Sequence, residues 1–278
     1  MIQLFKNVSA NCSRITTQEY STSFNKAIKL LHRDLREPIH NIYGFVRFAD
    51  EIVDTFHEYD KKELLQEFRR DTFIAIERGI SLNPILNSFQ ETVKKYSIGQ
   101  DLVTSFFASM ESDLEQCTHT SESYDKYIYG SAEVVGLMCL HVFTEGDKEK
   151  FDVLKPYAQA LGSAFQKVNF LRDLSADYNA LQRVYFPGVD FRNFTATQKR
   201  EIEKDIEADF RKAYQGIIQL PVKARFGVYV AYKYYFSLFR KISRVAPSVI
   251  LNDRIRIPNF SKFLIILRAG VRSQIGSL

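Results

Sequence analysis

The sequence predicts an all-α fold, and three observations lead to this. Long stretches repeat apolar residues at helical spacing, for example 63–77 and 101–113. No comparable series of alternating, strand-like segments occurs. The 278 residues are 45% apolar and 26% charged, with only 12 Gly and 7 Pro. This composition is typical of a helix-rich globule with a large core, and it excludes the disordered and fibrous classes.

Proline and glycine divide the chain into seven or eight predicted helices. In chain order the predicted breaks fall at Glu37–Pro38, Asn83–Pro84, Gly99, Gly146–Asp147, Phe186–Gly188, Leu220–Pro221 and Ala246–Pro247. No Ser-rich linker, low-complexity tract or repeat of fixed period separates these segments. We therefore predict a helical bundle in a single domain over residues 1–278.

The amino terminus lacks the apolar stretch of a secretory signal, and no apolar run reaches the length of a membrane span. The cysteines Cys12, Cys117 and Cys139 form no C-x-x-C pair, which favours a reducing compartment and buried thiols over a zinc site. We therefore expect a cytoplasmic protein.

Charge is distributed unevenly along the chain. From residue 221 onward, 11 Lys or Arg accompany a single acid, Asp253. Such a basic segment indicates an anionic partner, either a polyphosphate substrate or a membrane surface touched peripherally. No nucleic-acid-binding motif is present, so nucleic acid is not an expected partner.

Aromatic residues are plentiful, with 23 Phe and 15 Tyr but no Trp. Most such side chains pack in the core of a protein. Helices rich in Phe can also line an elongated apolar cavity, which is how an all-α protein would hold a long hydrocarbon.

A first helix face gathers polar groups near residue 50. At about 100° per residue, Tyr43, Arg47, Asp50 and Asp54 fall within roughly 60° of one another. Carboxylates one turn apart lie about 5–6 Å from each other, where their repulsion is roughly 3 kcal/mol. A cation should therefore lie between them. Arg47 could supply a guanidinium for phosphate oxygens or simply pair with Asp50, while Glu51 lies about 100° away from Asp50.

A second face, more than a hundred residues later, carries Asn169, Asp173 and Asp177. Arg172 lies about 100° from Asp173 around the helix, so geometry alone does not place it in a site. The two faces offer only oxygen, and the five His are scattered, which favours Mg²⁺ over transition metals. Because Mg²⁺ is normally held by one or two carboxylates plus substrate phosphates, the two faces predict a clamp for a diphosphate.

These segments resemble the squalene and phytoene synthase family, the head-to-head prenyl transferases with the all-α isoprenoid synthase fold. The resemblance runs through nearly the whole chain and rests on five motifs: Tyr20-Ser21-Thr22-Ser23-Phe24, Tyr43 to Asp54, Tyr129 to Gly136, Leu161 to Asp177, and Arg183-x-Tyr185-x-Pro187. Two positions depart from the family pattern: Thr22 stands where a basic residue is common, and Glu51 replaces the second Asp of the first acidic motif.

The resemblance implies a set of site residues. The metal ligands for two or three Mg²⁺ ions that bridge diphosphate would be Asp50, Asp54, Asn169, Asp173 and Asp177. The substrate-binding residues would be Tyr20, Ser21, Thr22, Ser23, Tyr43, Arg47, Gln166, Arg172, Tyr235, Arg254 and Lys262. The catalytic residues would be Asp50, Asp54, Asp173, Asp177, Tyr129 and Arg47.

The same resemblance implies a reaction between two prenyl diphosphates that passes through a cyclopropyl intermediate. The expected enzyme is a phytoene synthase that condenses two geranylgeranyl diphosphates and does not use NADPH. One alternative is a squalene or dehydrosqualene synthase acting on two farnesyl diphosphates. Two others are a terpene cyclase and a non-catalytic member of the fold that binds lipid or a partner protein.

Overall fold

The computed structural model describes residues 1–115, 118–181, 185–189, 194–252, 254–257, 265 and 269, with the backbone alone for 175–181. The regular structure of this part of the chain is helical, which confirms the all-α prediction. The helices are α1 (Ile2–Tyr20), α2 (Thr22–Ile28), α3 (Arg33–Asp54), α4 (Lys61–Arg78), α5 (Pro84–Tyr96), α6 (Gln100–Glu115), α7 (Ser121–Ile128), α8 (Val134–Phe143), α9 (Lys148–Leu181), α10 (Ala196–Ile217), α11 (Val222–Ser243) and α12 (Pro247–Asn252). A single π turn, Tyr129–Glu133, joins α7 to α8.

Most of the predicted breaks coincide with helix ends. The Asn83 side chain, for example, accepts hydrogen bonds from the amides of Ile85 and Leu86, and Pro84 opens α5. The break predicted at Pro38 is wrong, because α3 continues through this residue. The apolar face beyond it, which includes the fully buried Phe45, keeps the helix intact despite the missing amide proton.

The number of helices also exceeds the prediction of seven or eight, since twelve α-helices lie in the described residues. Some of the additional boundaries carry neither Pro nor Gly. Ser21 ends α1 in an extended conformation and caps α2, and Asp60 caps α4 with a hydrogen bond to the amide of Glu63.

The helices form two groups with the cavity between them. On one side α1, α3 and α5 pack against one another, with α4 against α5. On the other side α10, α11 and α12 pack against the long helix α9. The π turn and α8 lie against both α6 and α9 and so connect the two groups.

Some of the aromatic residues form plain core, as expected. Phe45 and Phe89 are fully buried and stacked with ring centroids 3.9 Å apart, and Phe106 and Phe107 pack around them. This cluster fixes α3 against α5 and α6. None of the helices in the described residues has the length and hydropathy that crossing a bilayer would require.

Candidate active site

A cavity of about 630 Å³ lies between the two groups of helices. One end, which we call the acidic end, contains Asp50, Asp54 and Asp173. The other end, the floor, contains Leu154 and Tyr157. Tyr157 precedes Asp173 by 16 residues on α9, a rise of about 24 Å. The cavity is therefore long, polar at one end and apolar along most of its length, a shape that suits an extended hydrocarbon with a charged head.

The first predicted face is present at the acidic end. The cavity is lined from the middle and the carboxyl-terminal part of α3 by Tyr43, Arg47, Asp50 and Asp54. Arg47 forms its ion pair with Glu51, one turn along the helix, rather than with Asp50. Glu51 thus acts on the site by holding Arg47.

The guanidinium of Arg47 also lies 4.4 Å from the centre of the Tyr20 ring. This cation–π contact joins the end of α1 to α3. Arg47 is therefore fixed between a carboxylate and an aromatic ring at the edge of the cavity.

Negative charge accumulates around Asp50. Burial, reinforced by the charges of Asp54 and Asp113 and opposed by Arg47, raises the pKa of Asp50 from 3.8 to about 7. A carboxylate that is hard to ionise next to other acids favours the binding of a cation, and the metal-binding role of Asp50 and Asp54 stays a prediction.

The second face lies on α9, where Gln166, Asn169 and Asp173 line the same cavity. The Arg172 side chain forms two hydrogen bonds with the adjacent Asp173. Its Nε donates to Asp173 Oδ1 over 3.0 Å, and its Nη2 donates to Asp173 Oδ2. Its length thus overcomes the 100° separation around the helix. Arg254 donates to the same oxygen over 2.7 Å. Two guanidinium groups therefore lie at the acidic end beside Asp173.

Asn169 has a different environment from the carboxylates. Its side chain is within hydrogen-bonding reach of the Tyr235 hydroxyl. Its Oδ1 atom is buried and has no hydrogen-bond partner among the described residues. A buried acceptor without a partner is costly, so this oxygen is available for a ligand. Tyr235 itself lines the cavity and stacks on Phe165 with centroids 3.9 Å apart.

The serine motif is divided between two pockets. Ser21 and Tyr20 line the main cavity, and Ser21 accepts a 3.2 Å hydrogen bond from the amide of Phe24. Ser23 lines a small neighbouring pocket of about 40 Å³ that is also bordered by Tyr235. Thr22 lines neither pocket, so the structure does not place it at the substrate site that the resemblance implied.

The sequence missed two residues at the acidic end. Asp113 and Tyr127 both line the cavity, and the Tyr127 hydroxyl donates a 2.7 Å hydrogen bond to Asp113. Burial and the charge of Asp113 raise the pKa of Tyr127 well above its ordinary value, so it keeps its proton. A signal was present in the sequence, because Asp113 continues the buried stripe of Phe106 and Met110 on α6.

The structure places Tyr129 outside the cavity lining, and its catalytic role stays a prediction. Tyr129 opens the π turn and does not line the cavity. Burial and the charges of Asp101 and Glu133 raise the pKa of Tyr129. Two tyrosines two residues apart on a helix point in directions about 160° apart, and Tyr127 is the one that faces the cavity.

A family model described as squalene/phytoene synthase matches residues 17–261 of this chain. The chain belongs to the squalene/phytoene synthase family. This family consists of head-to-head prenyl transferases.

Several relatives of this synthase family are similar in sequence. A presqualene diphosphate synthase of Rhodopseudomonas palustris is 26% identical over 66% of this chain and 65% of its own length. A 4,4'-diapophytoene synthase of Staphylococcus haemolyticus is 27% identical over 69% of this chain and 67% of its own length. A phytoene synthase of Arthrospira platensis is 24% identical over 95% of this chain and 93% of its own length. The chain thus spans about two thirds of the first two relatives.

Solved structures of squalene/phytoene synthases share the fold. A dehydrosqualene synthase in complex with a ligand matches with a TM-score of 0.83 at 20% identity, over 99% of both chains. A squalene synthase from Alicyclobacillus acidocaldarius matches with a TM-score of 0.73 at 19% identity, over 86% of this chain and 94% of that one. The predicted isoprenoid synthase fold is therefore confirmed.

Some of the residues that the family resemblance singled out lie outside the described residues. They are Arg183, Lys262 and the side chain of Asp177, as well as Cys117 among the cysteines. Of the other cysteines, Cys12 is half-buried and Cys139 lines the cavity, where burial raises its pKa to about 12.

The donor set at the acidic end fits a hard divalent cation such as Mg²⁺. Within the side chains that the structure describes, no three His, Cys, Asp or Glu are grouped closely enough to hold an ion by themselves. Mg²⁺ does not need such a cage, because phosphate oxygens and waters complete its coordination. Asp50, Asp54, Asp173 and the partnerless Oδ1 of Asn169 supply the hard oxygen ligands that it prefers.

Proposed function

We propose that this protein joins two prenyl diphosphates head to head, and that its product is phytoene made from two geranylgeranyl diphosphates. The observation that carries the proposal is the placement of Asp50, Asp54, Asn169 and Asp173 at one end of a long apolar cavity. The preference for C20 substrates is supported by the phytoene synthase of Arthrospira platensis, which is similar along 95% of this chain.

The acidic end would bind the diphosphates and promote ionisation. Mg²⁺, held by the two acidic faces, would offset the charge that develops on the leaving diphosphate. Arg47, Arg172 and Arg254 would add guanidinium donors to the same oxygens. The C1–O bond of one substrate breaks, and its electron pair leaves with the diphosphate.

The resulting allylic cation would be captured by the double bond of the second substrate, which gives a cyclopropyl diphosphate after loss of a proton. A second ionisation, rearrangement and proton loss would give phytoene. In total, two substrates yield one C40 hydrocarbon, two diphosphates and two protons. No reductant enters this balance, so NADPH is not required.

The cavity wall would protect these cations from water. Two stacked aromatic pairs line the cavity. They are Phe24 with Tyr43, and Phe165 with Tyr235. An aromatic face attracts a desolvated cation by up to about 2 kcal/mol. The apolar lining also excludes the water that would quench a carbocation.

A second candidate is the same chemistry on two C15 substrates. Relatives named presqualene diphosphate synthase and 4,4'-diapophytoene synthase are 26% and 27% identical to this chain. The C15 and C20 reactions would both use the acidic end. The choice between them therefore depends on the length of the prenyl chain that the cavity accommodates.

The deciding experiment incubates the full chain with Mg²⁺ and either C15 or C20 diphosphate, with and without NADPH, and identifies the products by mass spectrometry. We expect a C40 hydrocarbon from the C20 substrate with no need for NADPH. A C30 product formed from the C15 substrate alone would overturn the chain length. A cyclic product with one prenyl unit would overturn the head-to-head reaction, and no turnover of either substrate would leave a non-catalytic binding protein.

A further inference from the structure

Helix α1 combines a buried face rich in hydroxyl side chains with several exposed apolar side chains. Its buried face consists largely of hydroxyl side chains, Ser9, Ser13, Thr16 and Thr17. Its exposed face carries Leu4, Val8 and Ile15, whose exposed fractions are 68%, 50% and 52%. A helix on a water-facing surface normally shows the opposite arrangement, with its apolar side chains inward.

The buried face of α1 is closely packed and makes polar contacts with α5. Ser13 and Ser88 share a 2.7 Å hydrogen bond, and Asn87 donates to Ser9 over 3.1 Å. A Cβ atom on Gly44 would lie 2.8 Å from Ser13 Oγ, so α1 and α3 approach closely at this point.

The exposed apolar side chains of α1 continue onto the loop before α5. Asn87 accepts a hydrogen bond from the amide of Ser81 as well as donating to Ser9, which joins this loop to the first half of α1. The loop exposes Ile80 by 46% and Leu82 by 92%. We call Leu4, Val8, Ile15, Ile80 and Leu82 together the α1 face.

Positive charge lies beside the α1 face. Arg14 lies next to Ile15 on α1, and its charge, like those of Lys29 and Arg36, acts on His40, whose pKa burial and these charges lower to about 4. No acidic partner is found for Arg14, Lys29 or Arg36 in the part of the chain that the structure describes. Unpaired cations next to exposed apolar side chains complement an anionic headgroup layer above acyl chains.

We infer that the α1 face docks on the surface of an anionic lipid bilayer. Leu4, Val8 and Leu82 would enter the acyl boundary, about 5–10 Å deep in helices of this kind. Arg14 and Lys29 would reach the phosphates while their stems lie along the apolar surface. The helix lies flat on the bilayer and does not cross it. This docking goes beyond the proposed function and does not depend on it.

Vesicle co-sedimentation of the full chain tests the inference. The vesicles contain either phosphatidylcholine alone or equal parts of phosphatidylcholine and phosphatidylglycerol. We expect the protein to bind the anionic vesicles, and the combined change Leu4→Ser, Val8→Ser and Leu82→Ser to lower its partition coefficient by about tenfold or more. All three residues are exposed, so folding, checked by circular dichroism, should be unaffected.

The matched control is Val153→Ser with Val222→Ser, which removes apolar side chains that are 59% and 82% exposed elsewhere on the surface. Its partition coefficient should stay within about twofold of that of the unchanged protein. Arg14→Gln with Lys29→Gln should weaken binding to the anionic vesicles only, and added salt should do the same.

Three outcomes would overturn docking on lipid. The unchanged protein could fail to sediment with either kind of vesicle. The control pair could lose as much binding as the α1 variant. Sedimentation velocity could show that the unchanged protein is a dimer and the α1 variant a monomer, while neither binds vesicles. The α1 face would then be a contact between two copies of this chain. Diphosphate release from detergent-dispersed substrate, measured on the same variants, reports separately on the proposed reaction.

Discussion

Asp173 carries more of the proposed chemistry than any other residue on α9. Both Arg172 and Arg254 donate to its carboxylate, so one side chain positions two cations as well as offering a metal ligand. We expect Asp173→Ala and Asp54→Ala each to lower the rate of diphosphate release by at least about a hundredfold, because each removes charge stabilisation of the leaving group. Release is measured by a coupled phosphate assay on the purified variants.

The control for these two changes is Asp152→Ala, an exposed acid near the other end of α9. It should keep the activity of the unchanged protein, and all three variants should melt cooperatively. Turnover that survived both Asp54→Ala and Asp173→Ala would refute the role of the acidic end in diphosphate departure.

Tyr127 and Tyr129 give a sharper comparison, since they differ by two positions and one faces the cavity. Tyr127→Phe removes the hydroxyl that donates to Asp113 and leaves this carboxylate with one donor fewer at the acidic end. We expect it to lower kcat by about tenfold or more, whereas Tyr129→Phe should change kcat little. Steady-state kinetics on the two variants decides this, and equal losses of kcat would show that Tyr129 contributes to the reaction as much as Tyr127.

The raised pKa of Asp50 predicts an unusual pH dependence of stability. The folded protein holds this proton more tightly than the unfolded chain, whose pKa is near 3.8. The contribution of Asp50 to the free energy of unfolding is therefore full below pH 3.8 and is lost as pH rises through about 7. Asp50→Asn should unfold at a higher denaturant concentration than the unchanged protein at pH 8, without Mg²⁺, although it loses activity.

Denaturant unfolding at several pH values measures this effect as the difference between the two proteins. The difference isolates Asp50 from other groups such as His40, whose lowered pKa acts in the opposite direction. If Asp50→Asn were less stable than the unchanged protein at every pH measured, the charge of Asp50 would not destabilise the folded state.

The sequence predicted the parts of the site that repeat on one helix and missed those that depend on packing between helices. Asp50 and Asp54 follow from 3.6-residue periodicity within α3. Asp113 reaches the site from α6 and Tyr127 from α7, and no spacing in the sequence relates either of them to α3. Which of two tyrosines faces the cavity depends on the helical register ahead of the π turn, and that is a tertiary property.

At the scale of elements, most of the breaks predicted from Pro and Gly are helix ends because the backbone restrictions of these residues are local. The break predicted at Pro38 is wrong because burial of the rest of α3 outweighs one lost hydrogen bond. The helix boundary at Ser21 was not predicted, because Ser21 acts as a helix cap only once the chain turns there. Its side chain then accepts a hydrogen bond from the Phe24 amide.

The π turn predicts an element-scale effect on stability. Its Gly130 is buried, and an added Cβ would lie 2.5 Å from the carbonyl oxygen of Ser105 on α6. Gly130→Ala should therefore lower the free energy of unfolding by roughly 1–3 kcal/mol, the cost of overpacking. Gly99→Ala is the control, because the added methyl would meet only the movable Asp101 side chain. Equal unfolding midpoints in urea would show that α6 can withdraw from the turn.

At the scale of the whole molecule, two long features meet at the acidic end. The cavity extends along α9 to the acidic end. Helix α1 also ends at the acidic end, where the Tyr20 ring contacts the guanidinium of Arg47. If the α1 face lies on a bilayer, the entrance for an amphiphilic diphosphate would be close to the surface into which such a molecule partitions. Docking and catalysis would then share one orientation of the molecule.

The opposite end of the cavity should set the length of the accepted chain. Tyr157 lines the floor and is held there by α10, since a Cβ on Gly216 would lie 2.7 Å from its Cγ. Tyr157→Ala opens space about 24 Å from Asp173 along α9, beyond the reach of a short chain. We expect the ratio of kcat/KM for the C20 diphosphate to that for the C15 diphosphate to rise by about tenfold. Tyr214→Ala, the same change at a residue of α10 that does not line the cavity, should leave the ratio unchanged. Equal shifts in both variants would mean that loosened packing, and not the floor, determines chain length.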